Sequence, residues 1–205
     1  MGRSLEPAVS RPHHPVMDIP EADLAGQLLI AMPGTGDSRF AHSVVYLCAH
    51  SDDGALGLIV NKPTPEIRFR DLLDQIGIEV PGMLRDIRVH FGGPVEQARG
   101  FVLHSPDYSA GDATLEVTGE ISLTASLEVL QAIARGEGPA NSMMALGYAG
   151  WGPGQLESEI ARNGWLTAPA RSDIVFGRAN EHKWTAALKT LGIDPLTLSP
   201  DAGHA

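Results

Sequence analysis

The sequence predicts an α+β fold: a single compact domain with mixed, mostly antiparallel β-sheets and about four short helices. Short apolar segments outnumber the segments with helical spacing. They occur in clusters rather than in strict alternation with helices, which favours α+β over a doubly wound parallel sheet. Hydrophobic residues make up 43% of the 205-residue chain and charged residues 20%, a balance typical of one globular domain.

A hairpin is the clearest local prediction. Two apolar runs, at residues 43–49 and 55–60, are separated by the turn Asp52-Asp53-Gly54. A short Asp-Gly turn between two such runs is typical of an antiparallel pair. Both runs are too apolar to leave one face in water, so we expect both faces of this hairpin to be covered.

The remaining elements follow from periodicity and from glycine or proline stops. Further strands are predicted at residues 27–32, 88–91, 99–104, 113–117, 143–148 and 173–176. Helices are predicted at residues 69–76, 123–134, 155–163 and 181–191, where apolar residues recur every three or four positions and a glycine follows. Ser122 or Thr124 is expected to cap the second of these helices. Residues 23–198 would form the domain, between a flexible leader at 1–22 and a mobile tail at 199–205.

The charge balance disfavours direct binding to nucleic acid. The chain carries 25 acidic and 15 basic residues, a formal net charge of -10, and no basic run offsets it. Phosphate contacts supply most of the non-specific affinity for DNA, so an acidic surface opposes it. A single cysteine excludes an intrachain disulfide, and no apolar run has the length of a signal peptide core or a membrane helix. We therefore expect a cytoplasmic protein that does not contact a membrane.

The segment 145–159 is the first candidate site, because an apolar strand leads through a glycine-rich turn into a helix. A strand–turn–helix unit of this kind is a common place for ligand binding. No G-x-G-x-x-G or Gly-Lys-Ser/Thr signature accompanies it, so a nucleotide cofactor is not predicted. The structural alternative is close packing of the strand, the turn and the helix. The candidate ligand-binding turn consists of Gly150, Trp151, Gly152, Gly154 and Gln155.

A polar cluster at strand ends is the second candidate. His50 and His104 each close an apolar run, and Asp37 and Asn61 lie beside predicted turns. If the four side chains met in a cleft, they would be suited to acid–base work or, with Asp37, to metal binding. No His/Cys ligand spacing is present, however, so no metal is predicted. The alternative is that each histidine is hydrogen-bonded to turn backbone.

Two further candidates depend on single residue types. Cys48 lies two positions before His50, and on a regular strand both would point to the same face, as a reactive thiol–imidazole pair requires. The alternative is a buried cysteine that behaves as a small hydrophobe. The three tryptophans are candidates for partner binding, although burial of all three is the simpler interpretation. No G-x-S-x-G motif is present, so a serine hydrolase is not predicted.

Taken together, the motifs resemble the YqgE/AlgH family. The matching blocks are LIAMP (29–33), SVVY (43–46), GALGLIVN (54–61), GGPV (92–95), GFVLH (100–104) and GYAGWGPGQLE (147–157), with Asp37, Phe40, His50, Glu159, Asn163, Trp165, Leu166 and Trp184 in the same order. The resemblance extends from about residue 24 to the C-terminus. It implies a bacterial, cytosolic protein with a compact α+β fold and a link to transcriptional regulation through alginate control. It supplies no catalytic residue.

These observations favour a non-enzymatic protein that acts through a protein or small-molecule partner and affects transcription indirectly, without a cofactor. The alternative function is a small-molecule-binding protein or enzyme that uses a cleft near His50, His104 and the turn at residues 150–155. The two hypotheses differ in whether these histidines converge with the turn.

Overall fold

The computed structural model describes residues 23–34, 36–85 and 87–198, so the predicted leader (1–22) and tail (199–205) lie outside the described residues. The strands are β1 (Gln27–Ala31), β2 (Val44–Ser51), β3 (Gly54–Ile59), β4 (Pro63–Arg68), β5 (Arg88–Phe91), β6 (Val95–His104), β7 (Thr114–Glu116), β8 (Ser122–Thr124), β9 (Ser142–Trp151) and β10 (Trp165–Pro169). The helices are α1 (Phe69–Gln75), α2 (Leu127–Ala134), α3 (Gln155–Ala161), α4 (Ser172–Val175) and α5 (Asn180–Thr190).

The strands form one curled sheet in the order β10-β1-β2-β3-β9-β6-β8-β7, with β5 paired to β9 and β4 paired to β5. Among the described strands every pairing is antiparallel except that of β5 with β9. The α+β prediction with a mostly antiparallel sheet is therefore confirmed. The predicted hairpin is also present, as β2 and β3.

Strand β9 joins the two halves of the sheet. Its first half lies between β5 and β6, and its last three residues pair with β3. The chain between β5 and β6 crosses β9 so closely that a side chain would not fit. A Cβ added at Gly147, where φ is 74°, would lie 2.4 Å from the carbonyl oxygen of Gly93. Glycine is required here by both conformation and space.

Helices cover both faces of the sheet and give three apolar clusters. On one face α4 and α5 contribute Ile174, Val175 and Leu188 to a cluster with β1, β2 and β3. On the other face Leu156 of α3 packs with Trp151 and with Val45 and Leu47 of β2. Helices α1 and α2 cover the β5, β6 and β9 region. The expectation that both faces of the hairpin are covered is confirmed, because residues 44–48 are at most 2% exposed.

A β-bulge interrupts β2 at Cys48. Leu47 is paired with Gly57 and Ala49 with Leu56, so Cys48 has no residue opposite it. An extra residue reverses the alternation of side chains beyond it. Cys48 packs in the cluster beneath α4 and α5, whereas His50, paired with Ala55, lies on the α3 face. The expectation that Cys48 and His50 share a face is therefore wrong.

Two element predictions are corrected. The sequence predicts a strand at residues 173–176, but residues 172–175 form the short helix α4, which buries Ile174 and Val175 in the core. Residues 122–124 were expected to begin a helix, but they form β8, and α2 starts at Leu127 behind Ser126. β4 and β10 were not predicted. No described helix is long and apolar enough to cross a membrane.

Candidate functional site

The tryptophan cleft, as we call it, is a cavity of about 830 Å³ beyond the ends of β1 and β9. Its lining residues are Met32, Pro33, Gly34, Gly36, Asp37, Arg39, Phe40, Pro94, Val95, Gly150, Trp151, Gln155, Glu159, Arg162, Asn163, Gly164, Trp165, Thr197 and Leu198. The pairing of Ala31 with Trp165 brings the start of β10 next to the end of β1. Strand pairing therefore assembles the cleft from segments distant in sequence.

Two perpendicular indoles lie at the base of the tryptophan cleft. The rings of Trp151 and Trp165 are 5.9 Å apart at an interplanar angle of 79°, and both residues are buried. Phe40 also meets Trp165 edge-on, with ring centroids 5.8 Å apart. This edge-to-face arrangement is the preferred geometry of aromatic pairs. It gives the cleft a rigid aromatic wall.

Glu159 fixes both indoles. Its Oε2 atom accepts hydrogen bonds from Trp151 Nε1 at 2.9 Å and from Trp165 Nε1 at 2.8 Å. Its Oε1 atom accepts one from Gln155 Nε2 at 3.1 Å, and Gln155 Oε1 accepts one from the Gly152 amide at 3.0 Å. Gln155 and Glu159 are adjacent on α3 because they are four residues apart. Both oxygens of this carboxylate are occupied, so Glu159 acts as an anchor.

The rim of the tryptophan cleft combines a closed ion pair with an exposed cation. Asp37 caps a short 3-10 turn and binds the Arg39 guanidinium, with Arg39 Nη2 2.7 Å from Asp37 Oδ2. This hydrogen bonding lowers the pKa of Asp37. Arg162, which is exposed at the edge of the cleft, donates a hydrogen bond from Nε to the Ser158 carbonyl oxygen at 3.3 Å. Asp37 is thus part of the cleft, but as a paired side chain.

His50 lies behind α3 rather than in the cleft. Its Nδ1 atom accepts a hydrogen bond from the Leu24 amide at 3.2 Å, and its Nε2 donates to Glu157 Oε1 at 2.5 Å. This bond lowers the pKa of Glu157. The His50 side chain is only 5% exposed. The pair therefore links β2 and the segment before β1 to α3, and supports the helix that carries Glu159.

His104 is at the opposite end of β9. His104 pairs with Ser142, the first residue of β9, whereas Trp151 is the last residue of that ten-residue strand. At the usual rise per residue, the two ends of β9 are about 30 Å apart. The Nδ1 atom of His104 donates to the Ser105 carbonyl oxygen and its Nε2 accepts from the Thr124 hydroxyl, both at 2.8 Å. Burial lowers the pKa of His104. His50 and His104 do not converge, and the predicted cleft containing both is wrong.

Asn61 and Cys48 also have structural surroundings. Asn61 Oδ1 accepts from the Val44 amide at 2.9 Å, and its Nδ2 donates to the His42 carbonyl oxygen at 2.8 Å, so it closes the loop before β2. Cys48 is 2% exposed, and burial raises its thiol pKa. The four-residue polar cluster is therefore not assembled. No group of three His, Cys, Asp or Glu side chains in the described part of the chain could hold a metal ion.

Comparison with known proteins shows the family. The AlgH-like family model matches residues 28–196. The chain belongs to the AlgH-like family.

AlgH-like relatives match this chain over nearly their whole length. A UPF0301 protein of Cereibacter sphaeroides is 57% identical over 183 residues, which are 89% of this chain and all of the relative. A UPF0301 protein of Paracoccus denitrificans is 54% identical over 186 residues, or 90% of this chain and 98% of the relative. The resemblance inferred from the motif blocks is therefore confirmed.

Solved structures support the same fold. The solution structure of AlgH from Pseudomonas aeruginosa matches with a TM-score of 0.71 at 40% identity, over 96% of this chain and 100% of that one. The crystal structure of DIP2367 from Corynebacterium diphtheriae matches with a TM-score of 0.67 at 21% identity, over 85% of this chain and 89% of that one. The second likeness shows the fold alone.

Sequence reasoning located part of this AlgH-like site. Of the candidate turn, Gly150, Trp151 and Gln155 line the tryptophan cleft, while Gly152 acts through its amide. The anchoring role of Glu159 was missed, although its spacing of four residues from Gln155 on a predicted helix is a usable signal. Trp165 carries no such local signal, because only the β1–β10 pairing brings it to the cleft.

Proposed function

We propose that this AlgH-like protein is a non-enzymatic, cytosolic binding protein that holds a partner in the tryptophan cleft and affects transcription indirectly. The observation that carries the proposal is the cleft itself. Its volume of about 830 Å³ falls within the range of ligand pockets, roughly 300–1,000 Å³. Its aromatic wall supplies the apolar surface that such pockets use, and the exposed Arg39 and Arg162 are among the polar groups beside it.

The chemistry of the lining favours binding over catalysis. Neither histidine nor cysteine is among the described lining residues. Glu159 has both oxygens engaged by N–H donors, and Asp37 is paired with Arg39. A general base needs a free acceptor within reach of the substrate proton, and Glu159, which already accepts three hydrogen bonds, keeps at most one lone pair on Oε1 for that role. The fixed wall instead reduces the entropy lost when a partner binds.

We propose a small molecule as the partner, with an apolar part that contacts Phe40 and Val95 and a polar group that meets Arg162. Val95 is 36% exposed at the rim of the cleft. A protein partner that inserts a side chain would use the same wall. The indirect role in transcription rests on the family resemblance and on the acidic net charge of -10, which opposes direct DNA binding.

A thermal-shift screen against metabolites and nucleotides tests the proposal. A ligand at 100 times its dissociation constant stabilises the folded state by about 2.7 kcal/mol. For a domain of this size that is a rise in Tm of about 5–11 °C. Val95→Arg should abolish the rise by replacing an apolar contact of the ligand with a long charged side chain, and Leu115→Arg is the matched control. Leu115 is also an exposed strand residue, at 47%, but is outside the cleft.

Two outcomes would reject the small-molecule proposal. One is the absence of any stabilising compound in a broad panel, which would leave a protein partner. The other is a ligand whose effect survives Val95→Arg, because that ligand would bind elsewhere. Turnover of a bound compound would reject the non-enzymatic part of the proposal.

A further inference from the structure

A second, smaller cavity lies between β5, the start of β9 and the junction of α4 with α5. Its volume is about 130 Å³. A water molecule occupies about 30 Å³ in the liquid, so the cavity has room for one small polyatomic group. His90, Asn180 and Lys183 form its buried floor, and the exposed Arg85, Arg88 and Arg178 lie at its rim. None of these residues contributes to the tryptophan cleft.

Two buried polar groups at this cavity lack hydrogen-bond partners. Asn180 is 3% exposed, and its Oδ1 atom accepts from His90 Nε2 at 3.1 Å. Its Nδ2 atom, a donor, has no partner, and neither does the buried Oγ of Ser142. An unsatisfied buried polar group costs about 1–3 kcal/mol, so native structures rarely keep one without a reason. Both residues line the cavity.

Lys183 is a buried cation beside these groups. The residue is 4% exposed, and its Nζ atom donates to the carbonyl oxygens of Val60 and Val175, both at 2.8 Å. An ammonium has three N–H donors, so one remains. No salt bridge within the described residues includes Lys183. Burial lowers its pKa to about 8. A buried charge of this kind normally has an anionic partner.

The rim adds positive charge that is held in place by carbonyl oxygens. Arg85 Nη1 donates to the Pro139 and Ala140 carbonyl oxygens, and Arg88 Nη1 donates to that of Arg178 at 2.9 Å. The salt bridges of the described residues include none of these three arginines. Asn180 is also the first residue of the eleven-residue α5, whose N-terminal dipole favours an anion.

We infer that this cavity binds a phosphate group, either as the free ion or as the monoester end of a small molecule. A phosphate carries a charge of about -1.5 to -2 at neutral pH and three strong acceptor oxygens. Those oxygens match the Asn180 amide, the Ser142 hydroxyl, the remaining Lys183 proton and the arginine forks. A carboxylate has one charge and two oxygens, so it would satisfy fewer of these donors. The small enclosed floor suits one phosphate group better than an extended polyanion.

The test measures binding of inorganic phosphate, glycerol phosphate and acetate to the full chain at constant ionic strength, by amide chemical-shift titration. We expect saturable shifts confined to the residues around Asn180 with phosphate, and none with acetate. Shifts with glycerol phosphate as well would assign the site to a monoester. Shifts with inorganic phosphate but not with glycerol phosphate would assign the site to the free ion.

Three variants separate a built site from general attraction to positive charge. Arg178→Gln should weaken phosphate binding at least tenfold, because a charge-assisted hydrogen bond is lost. Arg135→Gln is the control: Arg135 is exposed, lies outside the cavity and pairs with Glu137, and this variant should bind phosphate as the wild type does. Asn180→Leu removes the buried donor with little change in volume, and should also weaken binding at least tenfold.

Three results would overturn the inference. They are equal affinities in Arg178→Gln and Arg135→Gln, shifts spread over all exposed arginines, or tight, strongly salt-dependent binding of an oligonucleotide that displaces phosphate. If Asn180→Leu does not fold, the comparison of the two arginine variants decides alone.

Discussion

Removing the Glu159 carboxylate is the most direct perturbation of the tryptophan cleft. Glu159→Ala leaves the indole N–H groups of Trp151 and Trp165 without their acceptor, which lies 2.9 and 2.8 Å away in the native protein. Each buried donor left unpaired costs about 1–3 kcal/mol. Glu159 is half-buried and water can enter the cleft. We therefore expect the lower part of the summed range, a loss of about 2–4 kcal/mol in the free energy of unfolding.

Glu159→Gln separates the hydrogen bonds from side-chain packing. The glutamine oxygen still accepts from both indoles, but its amide group replaces Oε1 and faces the amide of Gln155, a donor against a donor. We expect a loss of about 1 kcal/mol, the usual net value of one hydrogen bond. The predicted order of stability is wild type, then Glu159→Gln, then Glu159→Ala.

Urea unfolding followed by far-UV circular dichroism measures these differences without relying on tryptophan emission, which the substitutions alter. With a slope of about 2 kcal/mol per molar urea, the alanine variant should unfold about 1–2 M earlier and the glutamine variant about 0.5 M earlier. The anchoring role would be refuted if Glu159→Ala stayed within about 0.5 kcal/mol of the wild type, the usual range of a neutral surface change. Equal losses in both variants would refute it too.

Three more predictions follow from individual contacts. Because hydrogen bonding to His50 lowers the pKa of Glu157 from its usual 4.5, the wild type should be more stable than Glu157→Gln above about pH 4.5. That advantage should disappear as the pH falls through the pKa of Glu157 in the folded state. The urea midpoints of the two proteins, compared from about pH 3 to about pH 7, measure it. Gly147→Ala should cost about 2 kcal/mol or more, since its Cβ would lie 2.4 Å from the Gly93 oxygen; wild-type stability of this variant would contradict the close crossing. Cys48 should resist thiol labelling in the native protein and react once urea unfolds it, because burial raises its pKa; fast native labelling would contradict the buried position.

Sequence patterns were sufficient to predict the elements that depend on residues close together in the chain. The β2–β3 hairpin follows from two apolar runs and an Asp-Gly turn, and α3 and α5 follow from helical spacing with glycine stops. The late segment at residues 172–175 shows the limit of this reasoning. Ile174 and Val175 are β-branched and read locally as a strand, but there they pack as one helical turn against the sheet. Tertiary packing overrides a short propensity signal.

Two strands were missed, each for a different reason. β4 begins with Pro63 and contains Pro65, which argue against a strand from sequence, yet it pairs only with β5, and proline is tolerated at such an edge. β10 follows α3 directly and pairs with β1, more than 130 residues earlier. The residues of the tryptophan cleft are equally hard to predict where a long-range pairing brings them together. The turn of the cleft could be predicted from the spacing of glycines, whereas Trp165 reaches the cleft only through that long-range pairing.

The β2 bulge explains why the histidine hypothesis was incorrect. On a regular strand His50 would share a face with Cys48 and point beneath α4 and α5. The extra residue at Cys48 reverses the alternation, so His50 points toward α3 and meets Glu157. No composition or spacing in this strand marks the bulge. One inserted residue therefore decides both the isolation of the thiol and the support of α3.

Net charge and local charge also differ in this protein. A sum of -10 disfavours a polyanion partner on average, and that remains our prediction for nucleic acid. The fold nevertheless gathers Arg85, Arg88, Arg178 and Lys183 around one small cavity. A field of this kind acts within about a Debye length, roughly 8 Å at physiological salt, so it attracts a single anionic group at the cavity. A long polyanion extends beyond that distance and is also opposed by the net charge of -10. The selectivity that we propose, for one small phosphate over nucleic acid, would therefore follow from where the positive charges are and not from how many there are.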